Sequence, residues 1–192
     1  MAGTKDAIKN LVLPRGRTVR RLPVGIGRGL RMGIDFHRGE TRLFLGLYEV
    51  ELNRHLRAIA MSGYRSFDIG GQYGYDALVL AKLTGAEVVS VECDPDLVDE
   101  IAENARANPS LPTINAVGAF VSDTDEGNHV TIDTLARDRF VPDLIKLDIE
   151  GGEVAALRGA TWVLETRRPA IMLEVHGKDI EWGCLSILRD AG

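Results

Sequence analysis

From Ser66 onward, short apolar runs alternate with longer stretches whose apolar positions recur at helical spacing. The segment "SFDIG" predicts a strand leading into a glycine loop, and "YDALVLAKLTG" predicts a helix stopped by Gly85. A second strand follows in "AEVVSVE", then a helix in "DPDLVDEIAENARANP" with Asp94 as its N-cap and Pro95 at its first position. "TINAVGAF" is a third strand, "VSDTDEGNHVTIDTLA" a polar excursion, and "DLIKLDI" a fourth strand. The chain then predicts one helix over "GEVAALRGATWVLE", a fifth strand over "PAIMLEVH" and a last helix over "IEWGCLSILRDAG". Upstream, "RTVRRLPVGIGRGLRMGID" reads as one or two irregular hairpins. "LYEVELNRHLRAIAMSG" reads as a helix whose stripe is Leu47, Val50, Leu52, Leu56, Ile59 and Ala60. Strand–helix alternation of this kind argues an α/β fold: a Rossmann-like, doubly wound, mostly parallel sheet with helices on both faces.

Composition leaves this picture in place and charge refines it. With 192 residues, 45% apolar and 27% charged, the chain has the make-up of a globular domain. Its net charge of −5 opposes general binding of nucleic acid. Residues 1–38 nevertheless hold nine Lys or Arg against Asp6 and Asp35, a balance of +7 that leaves −12 for the remainder. The expected division is therefore a basic segment over 1–45 and the main domain over 46–192. The cysteines, Cys93 and Cys184, form no CxxC and have no adjacent histidine, which fits a reducing compartment. Cys93 reads as a small core filler. No apolar run reaches the ~18 residues of a membrane span, and the start lacks a signal-type core, so a cytoplasmic location is expected.

The chemistry concentrates where strands end. In "LIKLDIEGGE", alternation puts Ile145, Leu147 and Ile149 on one face and Lys146, Asp148 and Glu150 on the other. Strands covered on both sides are apolar on both faces, so the ionic half marks a strand emerging into a polar crevice. Asp68, Glu92, Asp148 and Glu174 fall at four strand ends, on the rim where open α/β sheets bind ligands. The first loop, "DIGGQYGY", fails the dinucleotide template, because Gln72 and Tyr75 stand where glycines are required. It offers Gly70, Gly71 and Gly74 behind an acid, Asp68, which repels a pyrophosphate and welcomes an ammonium group. Glu92 is placed to accept ribose hydroxyls. An adenosine with a cationic amino-acid tail, S-adenosylmethionine, suits these charges better than NAD. Asp123 and Asp125 lie in a loop that can approach the adenine, and are equally good loop formers.

The blocks "SFDIGGQYGYDALVLA", "VVSVECDPD", "VTIDTL", "DLIKLDIEGGEVAALRGA" and "RRPAIMLEVHG" resemble, in order and spacing, the FkbM-type family of S-adenosylmethionine-dependent methyltransferases. The resemblance runs from about Gly46 to Gly177. Its most specific parts are Lys146, Asp148, Glu150, Gly151 and Glu153, with Glu174 and His176 later. It implies a class I methyltransferase fold and methyl transfer, commonly to a hydroxyl of a sugar or small metabolite. By position it implies cofactor binding by Asp68, Gly70, Gly74 and Glu92, with Gly71 and Tyr75 in the same loop, and places Asp148 and Glu150 beside the methyl group. Gly71 and Gln72 stand where the family often has Ala-Asn. The family also continues into two further strands closing the sheet, so an edge that a second copy can cover is expected here.

Methyl transfer asks the protein to orient the reactants and remove the acceptor's proton. His176 is the candidate base, Glu174 its orienting partner, and Lys146 the cation that neutralises the acids. Asp148 and Glu150, at i and i+2, are the expected pair if a divalent ion such as Mg2+ takes part. Glu153 reads as a helix first-turn acid, and Trp162 and Trp182 as packing residues. His37, His55 and His129 share no ligand spacing and read as surface positions. Two other classes remain open at this point: a binding module of the same fold without catalysis, and a nicotinamide-dependent oxidoreductase.

Overall fold

The computed structural model describes residues 15–38 and 40–192. The chain divides into two compact units, Met1–Asn53 and Arg54–Gly192. Lys5 and Lys9 of the basic segment lie outside the described residues.

In the first unit, β1 (Thr18–Arg21) pairs antiparallel with β2 (Arg31–Ile34), Val19 opposite Gly33 and Arg20 opposite Met32. The expected hairpins are thus a single one, forming its own two-stranded sheet. Leu22, Ile26, Leu30, Met32 and Ile34 are buried. Phe36 stands edge-on to Phe44 of the single-turn helix α1 (Thr41–Phe44), ring centres 5.5 Å apart. The long helix expected from Leu47 shortens to α2 (Asn53–Ile59). Glu49 adopts φ 43°, a left-handed conformation that breaks a helical ladder, and Leu47 and Val50 of the expected stripe are exposed.

The second unit is built on a five-stranded sheet. Its strands are β3 (Ser66–Ile69), β4 (Val88–Glu92), β5 (Ile114–Gly118), β8 (Leu144–Leu147) and β9 (Ala170–Leu173). They run parallel in the order β5-β4-β3-β8-β9. The chain winds outward from β3 to one side and then returns to its other side, so the switch in direction lies between β3 and β8. The helices α3 (Tyr75–Thr84) and α4 (Pro95–Arg106) arise where expected. Asp94 accepts from Asp96 N at 2.9 Å as N-cap of α4, a contact worth about 1 kcal/mol. Gly85 closes α3 at φ 65°.

One sheet face is apolar. Phe67 and Ile69, Val89 and Val91, and Ile145 and Leu147 pack with Leu135, Leu157, Val163 and Cys184 from the helices that follow. The opposite face carries a polar row through the middle of the sheet. Asp68 lies in register with Ser90 on one side and Lys146 on the other, and all three are buried. The ionic residues of the fourth strand therefore begin inside the sheet rather than only at its rim.

Four further readings change. The polar excursion contains β6 (Phe120–Val121), β7 (His129–Val130) and a helix, α5 (Ile132–Asp138). Thr131 caps that helix by accepting from Thr134 N, and Ile132, Leu135 and Ala136 are its buried stripe. The helix after β8 is two short ones, α6 (Glu153–Arg158) and α7 (Thr161–Thr166). Gly159 separates them where any Cβ would overlap the Ser122 carbonyl, and the Asp133 carboxylate takes the Trp162 and Val163 N–H groups at 2.9 and 3.0 Å. Trp182, on the last helix α8 (Lys178–Asp190), is 73% exposed rather than packed, and Cys93 is an exposed thiol rather than core.

Candidate active site

The carboxyl ends of β3, β4 and β8 surround a cavity of about 370 Å³. Gly70 and Gln72 form one side, Glu92, Cys93 and Leu97 a second, Ala119, Phe120 and Val121 a third, and Asp148 to Glu150 with Gly152 the last. The glycine loop is held to β4 by the N–H groups of Gly70 and Gly71, which both donate to the Val91 carbonyl at 2.9 and 3.0 Å. Gly70 has φ 85°, and a Cβ on it would overlap the Asp148 carbonyl; a Cβ on Gly71 would overlap Ser90 Oγ. Gly70 permits the close approach of two backbones, and Gly71 the close approach of the Ser90 side chain. From below, the buried Asn104 side chain of α4 donates to Tyr73 O at 2.7 Å and fixes the loop's far end. Gly74, at φ 76°, opens α3; Tyr75 is buried as its first residue.

Glu92 is pre-set. Its Oε2 accepts from Gln72 N at 2.9 Å, and its Oε1 from Cys93 N at 2.7 Å and Asp94 N at 3.0 Å. These bonds fix the carboxylate at the cavity wall; Oε1 is filled by its two donors, and Oε2 keeps a lone pair for a ribose hydroxyl.

Asp68 stands differently from its expected role. It is wholly buried beneath the loop rather than on the cavity wall, with Ser90 Oγ donating to Oδ2 at 2.8 Å. Burial pushes its carboxyl up to about 6 against the opposing pull of Lys146, and Asp76 adds to the rise. Lys146 Nζ lies 3.2 Å from Asp76, 3.3 Å from Asp148 and 4.0 Å from Asp68. Lys146 is therefore the neutralising cation the sequence suggests, with Asp76 as an additional acid. Asp76 could have been found as an acid in the first turn of the helix after the loop.

Asp148 and Glu150 do not share a strand face, because β8 ends at Leu147 and Glu150 turns at φ 35° with an exposed side chain. Among the described residues, the group with ligand-like spacing is instead Asp148, Glu174 and His176. Asp123 is exposed and not on the cavity wall, whereas Asp125 accepts from Thr131 N at 2.7 Å and Thr134 Oγ1 at 2.9 Å as a loop former. Of the other histidines, His129 stacks on Phe120 with ring centres 5.5 Å apart.

Glu153 is the residue that sequence reasoning under-read. It is completely buried, and its Oε1 lies 2.6 Å from Nδ1 of His176. Burial works against its charge, yet the His176 hydrogen bond and the backbone N–H groups of Glu153 and Gly151 hold its carboxyl below the usual value. The same bond raises His176 above an ordinary imidazole, and the charges of Asp148 and Glu174 act in that direction too. Nε2 of His176 then faces Asp148 Oδ1 at 3.8 Å and Glu174 Oε1 at 3.9 Å. The available signal was the spacing of Glu153 to the later E-x-H, which no local pattern explains.

A parallel sheet of this order, with a glycine loop after its first strand and an acid closing its second, is a Rossmann-like fold. Residues 100–184 match the family model of the methyltransferase FkbM domain, and the FkbM-type resemblance of the motifs is borne out. The chain is 27% identical to the hexuronic acid methyltransferase AglP of Haloferax volcanii, over 57% of this chain and 55% of that protein. It thus spans about half the length of that curated relative. Among solved structures it is similar to methyltransferase FkbM of Methylobacillus flagellatus KT (23% identity, TM-score 0.54, 66% of this chain and 37% of that one). It is also similar to a precorrin-6y C5,15-methyltransferase of Geobacter metallireducens GS-15 (18% identity, TM-score 0.53, 76% of this chain and 73% of that one). These likenesses show the fold.

Proposed function

We propose that the chain transfers a methyl group from S-adenosylmethionine to a hydroxyl oxygen of a small or sugar-containing acceptor. The observation that carries this reading is the continuity of cavity and rim at Asp148: the residue that borders the nucleoside-sized hollow also faces Nε2 of a histidine aligned by a buried carboxylate. Glu92 takes a ribose hydroxyl, the apolar side made by Leu97, Phe120 and Val121 takes the adenine, and the loop at Gly70 brings the sulfonium toward Asp148. The AglP relative, named for a hexuronic acid, supports a sugar-containing acceptor.

In the direct form of the reaction, the acceptor oxygen attacks the methyl carbon in line with the C–S bond. The bonding pair stays on sulfur as a thioether, and the hydroxyl proton passes to His176 Nε2. Positive charge disappears from sulfur as the methyl leaves, so a purely anionic pocket would hold the ground state too tightly. Lys146 among Asp68, Asp76 and Asp148 limits that effect.

Incubation with methyl-labelled S-adenosylmethionine and a panel of hexoses and hexuronic acids tests the proposal. Label should pass to one sugar class. Both Asp148→Asn and His176→Ala should lower the rate at least about 100-fold, within the range for a lost acid–base group, with S-adenosylhomocysteine still bound. Transfer at the wild-type rate in both variants would remove this rim from the reaction.

A further inference from the structure

Asp148, Glu174 and His176 each bring one ligand atom within 4.8 Å of the other two. At 3.8 and 3.9 Å, the two carboxylate oxygens are beyond hydrogen-bond reach of Nε2, yet near enough to share one ion with it. The groups behind them decide which atoms face the gap. Glu153 accepts from Nδ1, so in the neutral ring that nitrogen carries the hydrogen and Nε2 the lone pair. A carboxylate behind the ring is the usual means of orienting a metal-ligating histidine. Lys146 Nζ sits 3.3 Å from Asp148 Oδ2, which leaves Oδ1 turned to the imidazole. Two carboxylates and a neutral imidazole carry a charge that a divalent cation cancels.

We infer that Asp148, Glu174 and His176 bind one divalent transition-metal cation at the mouth of the cavity, with Glu153 as the positioning residue for His176. The imidazole favours Mn2+ or Zn2+ over Mg2+, which prefers an all-oxygen shell. Glu174 and His176 replace Glu150 as partners of Asp148, because they follow β9, the neighbour of β8 in the sheet. The inference rests on the methyl-transfer reading only for the cation's use. Beside the acceptor, a cation stabilises the deprotonated hydroxyl. His176 is then a ligand, and the proton passes to water.

The test follows Mn2+ binding to the full chain by the paramagnetic resonance signal of the free ion, alongside a separate titration with S-adenosylhomocysteine. One Mn2+ per chain is expected. Glu174→Gln and His176→Ala should each weaken it at least tenfold, and Glu153→Gln by about 10- to 100-fold, with circular dichroism unchanged. Should Glu153→Gln fail to fold, the two rim variants decide, since both side chains are partly exposed. No saturable binding to the wild type, or wild-type affinity in both rim variants, overturns the cation. A chain that binds S-adenosylhomocysteine but not Mn2+ keeps the cofactor reading and loses the cation; the reverse result loses the cofactor reading alone.

Discussion

Lys146 is the residue on which the buried charge of this site balances. Its side chain is 7% exposed and faces three carboxylates, of which Asp68 is fully enclosed. A cluster of this kind adds little net stability compared with apolar packing, but removing one member leaves uncompensated charge. Lys146→Met should cost about 3–5 kcal/mol in urea unfolding; a wild-type midpoint would show that solvent already screens the three acids. Asp68 gives a pH-dependent counterpart. Its carboxyl is raised from 3.8 to about 6 in the folded chain, so the folded state holds this proton where the unfolded state has lost it. The associated stability is fully present below pH ~4 and is lost as pH rises through about 6, on the order of 2–3 kcal/mol. Asp68→Asn should therefore gain stability relative to the wild type between pH 4 and 6.5, measured as the difference in unfolding free energy. A difference flat across that window would contradict the burial argument.

At the scale of elements, the loop between β3 and α3 and the turn after β8 are the parts that touch. Gly70 sits against the Asp148 carbonyl at positive φ, so Gly70→Ala should weaken S-adenosylhomocysteine binding at least tenfold and destabilise the fold by about 1–3 kcal/mol. Gly85 has positive φ too but open space around its Cβ position; Gly85→Ala should cost only about 1 kcal/mol and leave that affinity intact. Equal losses in both variants would mean that backbone conformation alone, and not close approach, matters at Gly70. The parallel strands and α3 and α4 were legible because apolar period, glycine stops and the Asp94-Pro95 start agree with one another. The split between α6 and α7 was not, because it depends on Gly159 meeting Ser122, a contact between distant segments. Nor was the shortening of the helix before β3, where left-handed Glu49 overrides a stripe that reads well locally. Helix α5 was within reach: Thr131 and the spacing of Ile132, Leu135 and Ala136 carry its signature.

For the molecule as a whole, parallel winding around β3 gathers acids from distant positions onto one rim, and that much follows from strand order alone. Sequence reasoning placed Glu92, Asp148 and His176 there. It could not see that Asp68 would lie under the loop, or that Glu153 would reach His176 from inside the core, because both facts depend on register and helix packing rather than on spacing. The pairing of a nucleoside hollow with a reactive rim is the central claim, and calorimetric titration with S-adenosylhomocysteine tests it most directly. The account predicts one binding event per wild-type chain, weakened at least tenfold in Glu92→Ala with the fold retained. Absence of binding to the wild type, or equal affinity in the variant, would contradict it.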